Sequence, residues 1–488
     1  MKNIKPVMMI VALFLVLSIA AAVFMTARQT NAPVVDENIY TDSFSSDTDE
    51  NTSGQNSGEG DEKQGDSTAP ESSDTAPADE SSENGSDLPE PEYTPQPTAE
   101  ATPEATPTIQ PTAAPTAEPK PSVSSDSLKA MWISYLEFQS VDFSSRETFE
   151  NQITKMFTDC ADMGLNTVIV QVRPFGDALY KSSVFPASHL ISGTQGTELA
   201  FDPLEEMLKI AHSKGLRIEA WVNPYRVKLH GNLPAELAAT NPAKDESLVF
   251  NVDGGIYYNP CLTQVQDMVV EGIAEIVANY DVDGIHLDDY FYPEKADMTI
   301  DEADYTASGR SLSQADWRRE NVNTLVRKIY AKIKSIDSSV TFGISPQGNN
   351  DNNYNVQYSD VCLWMANEGY VDYVMPQLYW GFGYLTASGS DRFQFVNLSD
   401  SWAAYPRHSS VKLHIGLGAY RIGAGDGGAN DQSEWSSGYN LMQQINALNA
   451  NSNISGFALY RYDNLFKNSE YASLAQSETA HIKELLVG

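Results

Sequence analysis

The segment 283–290, DGIHLDDY, joins a short apolar run to two adjacent carboxylates and an aromatic ring. Ile285 and Leu287 alternate with His286 and Asp288, the period-two pattern of a strand with one packed face. Asp288 shares the His286 face; Asp289 has the opposite parity and can swing in where the strand stops. Two neighbouring carboxylates resist ionising together, so one is held protonated toward neutral pH and can act as a general acid. Asp288 is the first candidate and Asp289 the group that raises its pKa. His286 either orients or polarises the acid or is a hydrogen-bonded core histidine.

Further chemistry-bearing residues sit where other apolar runs end. QVRPFGD (171–177) offers Arg173 and Asp177; WVNPYR (221–226) offers Trp221, Asn223 and Arg226; MPQLYW (375–380) offers Gln377, Tyr379 and Trp380. Tyr290, Tyr420 and Tyr460 add rings. Flat aromatic faces beside amides, guanidinium groups and carboxylates suit a sugar, whose rings stack and whose hydroxyls need partners. Arg173 reaches such a site or makes an ion pair with Glu219 or Asp177. An ordinary glycosidase needs a second carboxylate. Asp177 and Asp463 are the candidates, and a substrate N-acetyl group acting as nucleophile is the alternative. Gln377 and Tyr379 would then position the acetamido group. The sequence has no Gly-rich phosphate loop and no GxSxG elbow. Cys160, Cys261 and Cys362 are too scattered for a disulfide framework or a zinc site. No cofactor and no metal are expected.

The elements that must position these residues alternate. Strands are predicted at 130–136, 167–173, 217–223, 284–289, 340–347, 373–379, 413–420 and 454–462. Helices are predicted at 146–163, 203–214, 262–278, 313–336, 358–368, 392–403, 435–450 and 471–487. Asp202 is the predicted cap of the second helix, and Asn259 that of the third. Eight strand–helix units predict an α/β fold, a closed (β/α)8 TIM barrel with its site at the C-terminal mouth of the strands. A doubly wound sheet is the runner-up.

Composition divides the 488 residues into three parts. Residues 1–28 carry Lys2 and Lys5, an apolar run from Val7 to Met25, and Arg28. This predicts a membrane-directed helix, either a signal-anchor or a cleaved signal peptide. Residues 29–125 are acidic and rich in Pro and Thr, a disordered linker that cannot bury enough surface to order itself. Residues 126–488 form the barrel. The formal net charge of −35 places −19 on the linker and −19 on the barrel, with +3 at the head, which argues against nucleic acid as a partner. The expected partners are the cytoplasmic membrane, through the N-terminal helix, and a cell-wall polysaccharide. The expected location is extracytoplasmic, anchored to the membrane or secreted to the wall.

The stretches QVRPFGD, WVNPYR, GIHLDDYFYP (284–293), MPQLYW and Tyr420-Arg421 together resemble the glycosyl-hydrolase-like family 10 barrels. The resemblance spans nearly all of 128–488. It implies a TIM barrel that hydrolyses bacterial wall glycan, notably peptidoglycan strands stripped of stem peptides. A more distant likeness is to family 18 chitinase-type barrels, whose strand four carries DxxDxDxE. Asp283 and Asp288 match two of those aspartates, His286 replaces the middle one, and Tyr290 stands where the catalytic glutamate would be. Barrels acting on partly deacetylated poly-N-acetylglucosamine are similar in carrying paired aspartates, matched by Asp288-Asp289. The departure at Tyr290 keeps open a catalytically silent carbohydrate-binding barrel.

Overall fold

The computed structural model describes residues 127–229, 233–428 and 433–488. Its strands are β1 (Leu128–Ile133), β2 (Thr167–Arg173), β3 (Arg217–Val222), β4 (Arg226–Lys228), β5 (Val249–Val252), β6 (Gly255–Tyr258), β7 (Gly284–Leu287), β8 (Thr341–Ile344), β9 (Tyr373–Val374), β10 (Gln377–Leu378), β11 (Lys412–Leu413), β12 (Ile415–Gly418) and β13 (Gly456–Tyr460).

The main sheet is parallel throughout and runs β10-β12-β13-β1-β2-β3-β7-β8-β9-β11. This corrects the expected closed barrel of eight strands: the ladder is a curled sheet of ten strands, with β10 and β11 as its ends. Pro376 lies inside the predicted strand 373–379 and has no N–H for a ladder, so that strand appears as the short pieces β9 and β10. The predicted strand 413–420 is likewise divided at His414 into β11 and β12.

The two faces of the sheet differ as the alternation requires. Met131, Val168, Val170, Ile218, Ala220, Ile285, Phe342, Leu417 and Leu459 pack against the helices in one large core. The concave face holds a second, aromatic cluster that includes Trp132, Ile169, Trp221, Tyr373, Tyr379 and Tyr460. Most helices fall where their caps and periodicity place them. Pro203–Ser213 starts with Pro at its first turn, and Asp202 accepts from the N–H groups of Leu204 and Glu205. Thr263–Asn279 starts later than its predicted cap: Leu262 holds the cap position without a side-chain bond, and Asn259 instead accepts from Cys261 N–H.

Two features were not foreseen. An antiparallel sheet, β4-β6-β5, follows β3, and a short helix, Glu302–Ser308, follows β7. The segment behind β7 is fixed by Arg318, whose guanidinium meets Asp301 through two nitrogens at 2.6 and 2.9 Å with both side chains fully buried.

The predicted membrane helix (1–28) and linker (29–125) lie outside the described residues. Among the described residues no helix is long and apolar enough to cross a membrane. No described element supports the expected membrane partner or membrane anchoring, which rested on residues 1–28.

Candidate active site

The strand β7 stops at Leu287, and the two carboxylates follow at once. Both are buried. One oxygen of Asp288, Oδ2, accepts from Trp221 Nε1–H at 3.1 Å and from Asn223 Nδ2–H at 2.7 Å. Its Oδ1 accepts from the Tyr290 backbone N–H at 3.3 Å. Register explains the meeting: Trp221 of β3 lies beside His286 of β7, so the end of β3 projects toward the residues just past β7. Asn223 is itself fixed, its Oδ1 accepting from Gln171 Nε2–H at 2.6 Å.

Asp289 turns the other way, toward β10. It accepts from Gln377 Nε2–H at 3.0 Å and from Gln357 Nε2–H at 3.3 Å. Burial pushes the Asp288 carboxyl up to about 7, and the negative charge of Asp289 adds to the rise, while Arg226 and the hydrogen bonds oppose it. Burial also raises Asp289, against the pull of the Gln357 and Gln377 amides. A buried carboxyl near neutrality, flanked by a second one, has the proton inventory of a general acid.

Arg226 stands beside this pair. Its guanidinium lies 4.9 Å from the Tyr290 ring centre and 5.2 Å from that of Phe175, and Nε–H donates to Pro174 O at 2.9 Å. A wall of rings completes the concave face. Tyr460 packs edge-on to Trp132 at 6.0 Å and stacks with Tyr379 at 5.9 Å, and Tyr420 meets Tyr379 edge-on at 5.4 Å. Nine of the predicted site residues therefore come together or line this face: Asp288, Asp289, Trp221, Asn223, Arg226, Tyr290, Tyr379, Tyr420 and Tyr460. Gln377 belongs to the group, but its amide N–H groups are taken up by Asp289 and by the Ser345 carbonyl and hydroxyl.

Arg173, Asp177, Asp463 and Trp380 lie elsewhere, and His286 lies deeper on the same face. The register of β2 against β3 shifts between Gln171 and Arg173, and Arg173 then pairs with Val222, an outer-core residue. A shifted register sends a side chain to the opposite face. The Arg173 guanidinium accordingly lies over the Phe185 ring at 4.4 Å, and it makes an ion pair with neither Glu219 nor Asp177. Asp177 accepts from His189 Nδ1 at 2.8 Å and from Gln195 Nε2–H at 3.0 Å. Asp463 lies 3.1 Å from Lys467 and 3.8 Å from Arg461. Neither is brought to Asp288. Trp380 has the parity opposite to Tyr379 and stacks on Phe393 at 5.0 Å in the outer core. His286 is fully buried beneath the pair, with both ring nitrogens engaged by Trp132 and Tyr373.

Glu294 was missed. It stands at the rim, seven residues beyond Leu287, and its Oε1 accepts from Gln347 Nε2–H at 2.9 Å in a part-buried contact. Desolvation of its carboxyl, reinforced by the charge of Asp289, pushes it up to about 6. The sequence held one sign of it, a carboxylate directly after GIHLDDYFYP, but a loop offers no parity from which to place a side chain. Among the described residues no group of three or more His, Cys, Asp or Glu side chains is arranged to hold a metal ion.

The family described as glycosyl hydrolase-like 10 matches residues 127–437. The chain belongs to that family. That family is the one its strand-end motifs resemble. It is 34% identical over 347 residues to the glycosyl hydrolase YngK of Bacillus subtilis, an alignment covering 66% of this chain and 65% of that one. It is 33% identical over 334 residues to the glycosyl hydrolase DigH of Escherichia coli K12, covering 62% of this chain and 74% of that one. The chain thus spans slightly less than two thirds of the first relative's length. Among solved structures, the catalytic domain of a beta-amylase from Paenibacillus polymyxa aligns with a TM-score of 0.47 at 13% identity, over 75% of this chain and 99% of that one. That likeness is too loose to argue from.

Proposed function

We propose that this protein hydrolyses glycosidic bonds in bacterial wall glycan, with peptidoglycan strands lacking stem peptides as its substrate and Asp288 as its general acid. The observation that carries the reading is the state of Asp288: a buried carboxyl raised to about 7, aimed by two side-chain N–H donors, beside a wall of aromatic rings. In this reading Asp288 gives its proton to the leaving glycosidic oxygen as the bond to the anomeric carbon breaks. Asp289 keeps that proton in place until then by opposing a second negative charge. Tyr379, Tyr420 and Tyr460 offer ring faces to the sugars, and Tyr290 on Arg226 closes one side.

The anomeric carbon still needs an electron pair. With Asp177 and Asp463 engaged elsewhere, the substrate's own 2-acetamido oxygen supplies it, and water then opens the ring so formed. Gln377 contributes by holding Asp289 rather than by touching the acetamido group. A second reading is favoured by Glu294 alone: its carboxylate removes a proton from the water that attacks the anomeric carbon. The two separate by one variant, since Glu294→Gln leaves the first route intact and stops the second.

The test uses the full chain with intact peptidoglycan, amidase-stripped glycan strands and chitin oligomers, and mass spectrometry of the soluble products. Soluble glycans from stripped strands, absent with Asp288→Asn, support the proposal. Products from chitin oligomers alone move the substrate to another N-acetylglucosamine polymer. Binding of strands without any product refutes hydrolysis.

A further inference from the structure

Beneath the two carboxylates a chain of buried polar groups runs through the concave face. Its lower end is Glu219 of β3, buried, with one oxygen accepting from Thr341 Oγ1–H at 3.3 Å and lying 3.7 Å from Arg217. Its other oxygen takes the Tyr373 hydroxyl. The Tyr373 oxygen lies 2.7 Å from His286 Nδ1, and Trp132 Nε1–H donates to His286 Nε2 at 3.2 Å. Both indoles meet the imidazole edge-on, Trp132 with ring centres 5.8 Å apart and Trp221 with 6.3 Å. Trp221 Nε1–H is the group that donates to Asp288.

Donor and acceptor capacity fixes each direction from Trp132 through His286 and Tyr373 to Glu219. An indole N–H can only donate, so His286 Nε2 must carry a bare lone pair. Neutral imidazole then has its proton on Nδ1, and that proton points at the Tyr373 oxygen. The Tyr373 hydroxyl proton is left for Glu219. Burial holds the imidazole neutral, pushing its pKa down to about 3.

The backbone is cut to admit this arrangement. Gly343 lies between His286 and Tyr373 in the sheet, and a Cβ there would come within 1.9 Å of the Tyr373 ring. A Cβ on Gly284 would come within 2.8 Å of the Glu219 carboxyl carbon, and one on Gly416 within 2.8 Å of the Trp132 indole. Three inward positions lack side chains where three members of the chain need the space.

We propose that His286 is a positioning residue: locked as the Nδ1–H tautomer between the Trp132 N–H and the Tyr373–Glu219 pair, it seats the Trp132 and Trp221 indoles so that the Trp221 N–H addresses Asp288. It takes no proton from the substrate. Its consequence for turnover rests on the hydrolase reading above; its geometry does not.

The test therefore has two arms, both on the full chain. In the first, nitrogen-15 histidine spectra are recorded from pH 5 to 9, with the His286 signal assigned by its loss in His286→Gln. The wild type shows a neutral Nδ1–H imidazole that does not titrate. In Tyr373→Phe the Nδ1 proton loses its acceptor, and the signal shifts to a mixture of tautomers or begins to titrate. In the second arm, Tyr373→Phe lowers kcat on stripped glycan strands by about tenfold or more while KM changes little, as a small misalignment of a catalytic group does. His286→Gln, whose amide can accept from Trp132 and donate to Tyr373, retains more activity than His286→Leu at equal melting temperature. A titrating or Nε2–H His286 in the wild type overturns the tautomer assignment whether or not the protein turns over glycan. A folded Tyr373→Phe with wild-type kcat and pH profile overturns the positioning role. Absence of hydrolysis in every variant and the wild type refutes the hydrolase reading and leaves the spectra to decide this one.

Discussion

Replacing Asp288 by Asn should abolish turnover and, above neutral pH, make the protein more stable. Burial and the neighbouring Asp289 raise the Asp288 carboxyl from 3.8 to about 7. At roughly 1.4 kcal/mol per pH unit, this rise of about three units corresponds to about 4 kcal/mol. The folded state binds the proton more tightly than the unfolded chain does. Stability is therefore lost as pH climbs from about 4 to about 7, and it stays lower at higher pH. Asparagine carries no charge and escapes that loss at every pH. Its amide oxygen can accept from Trp221 and Asn223 as Oδ2 does, but its NH2 group then meets the Tyr290 N–H that now donates to Oδ1. That mismatch costs about 1 kcal/mol. The variant should be about 3 kcal/mol more stable than the wild type at pH 9, and about 1 kcal/mol less stable at pH 4, where the wild-type carboxyl is already protonated. At about 2–4 °C per kcal/mol, the melting temperature rises by roughly 6–12 °C at pH 9. Calorimetric scans of both proteins at pH 4, 7 and 9 measure this directly. A variant that melts at or below the wild-type temperature at pH 9, or by a margin independent of pH, would refute the reasoning.

Further outcomes follow from the same contacts. Asp289→Asn removes the like charge beside Asp288, so the basic limb of the pH–rate profile moves to lower pH. Asn223→Ala removes a hydrogen bond that favours ionised Asp288 and moves that limb to higher pH; it also strands the Gln171 amide, lowering the melting temperature. Gly343→Ala places a methyl group inside the Tyr373 ring, and the overlap should cost about 3 kcal/mol or more, read as a lower urea midpoint. Arg318→Met leaves Asp301 buried without its partner and should cost about 3–5 kcal/mol in urea unfolding, with recovery in the double variant Arg318→Met, Asp301→Leu.

Strand alternation was the most legible part of the sequence. It placed Ile285 and Leu287 in the outer core and Trp221, Tyr379 and Tyr460 on the concave face, because a two-residue period leaves little freedom once one face is apolar. It failed where the period itself is interrupted. The register shift at Gln171–Arg173 turned Arg173 outward, and no residue type there announces it. Pro376 divides one strand into β9 and β10, an interruption that the alternation of apolar residues does not encode. Trp380 shares a motif with Tyr379 but has the opposite parity, which sends it to the outer core. Pairing across long sequence separations was illegible: nothing local tells Glu219 to meet Tyr373 rather than Arg173, or His286 to meet Trp132. The β4–β6 sheet and Glu294 sit in connections, where no period constrains side chains.

The most direct measurement is turnover of amidase-stripped glycan strands by the full chain, wild type against Asp288→Asn, with the products followed by mass spectrometry. Soluble glycan fragments from the wild type and none from a folded Asp288→Asn are the predicted result. Equal release by the two proteins would contradict the assignment of the acid, and no release by the wild type from any wall or N-acetylglucosamine glycan would contradict the proposed function itself.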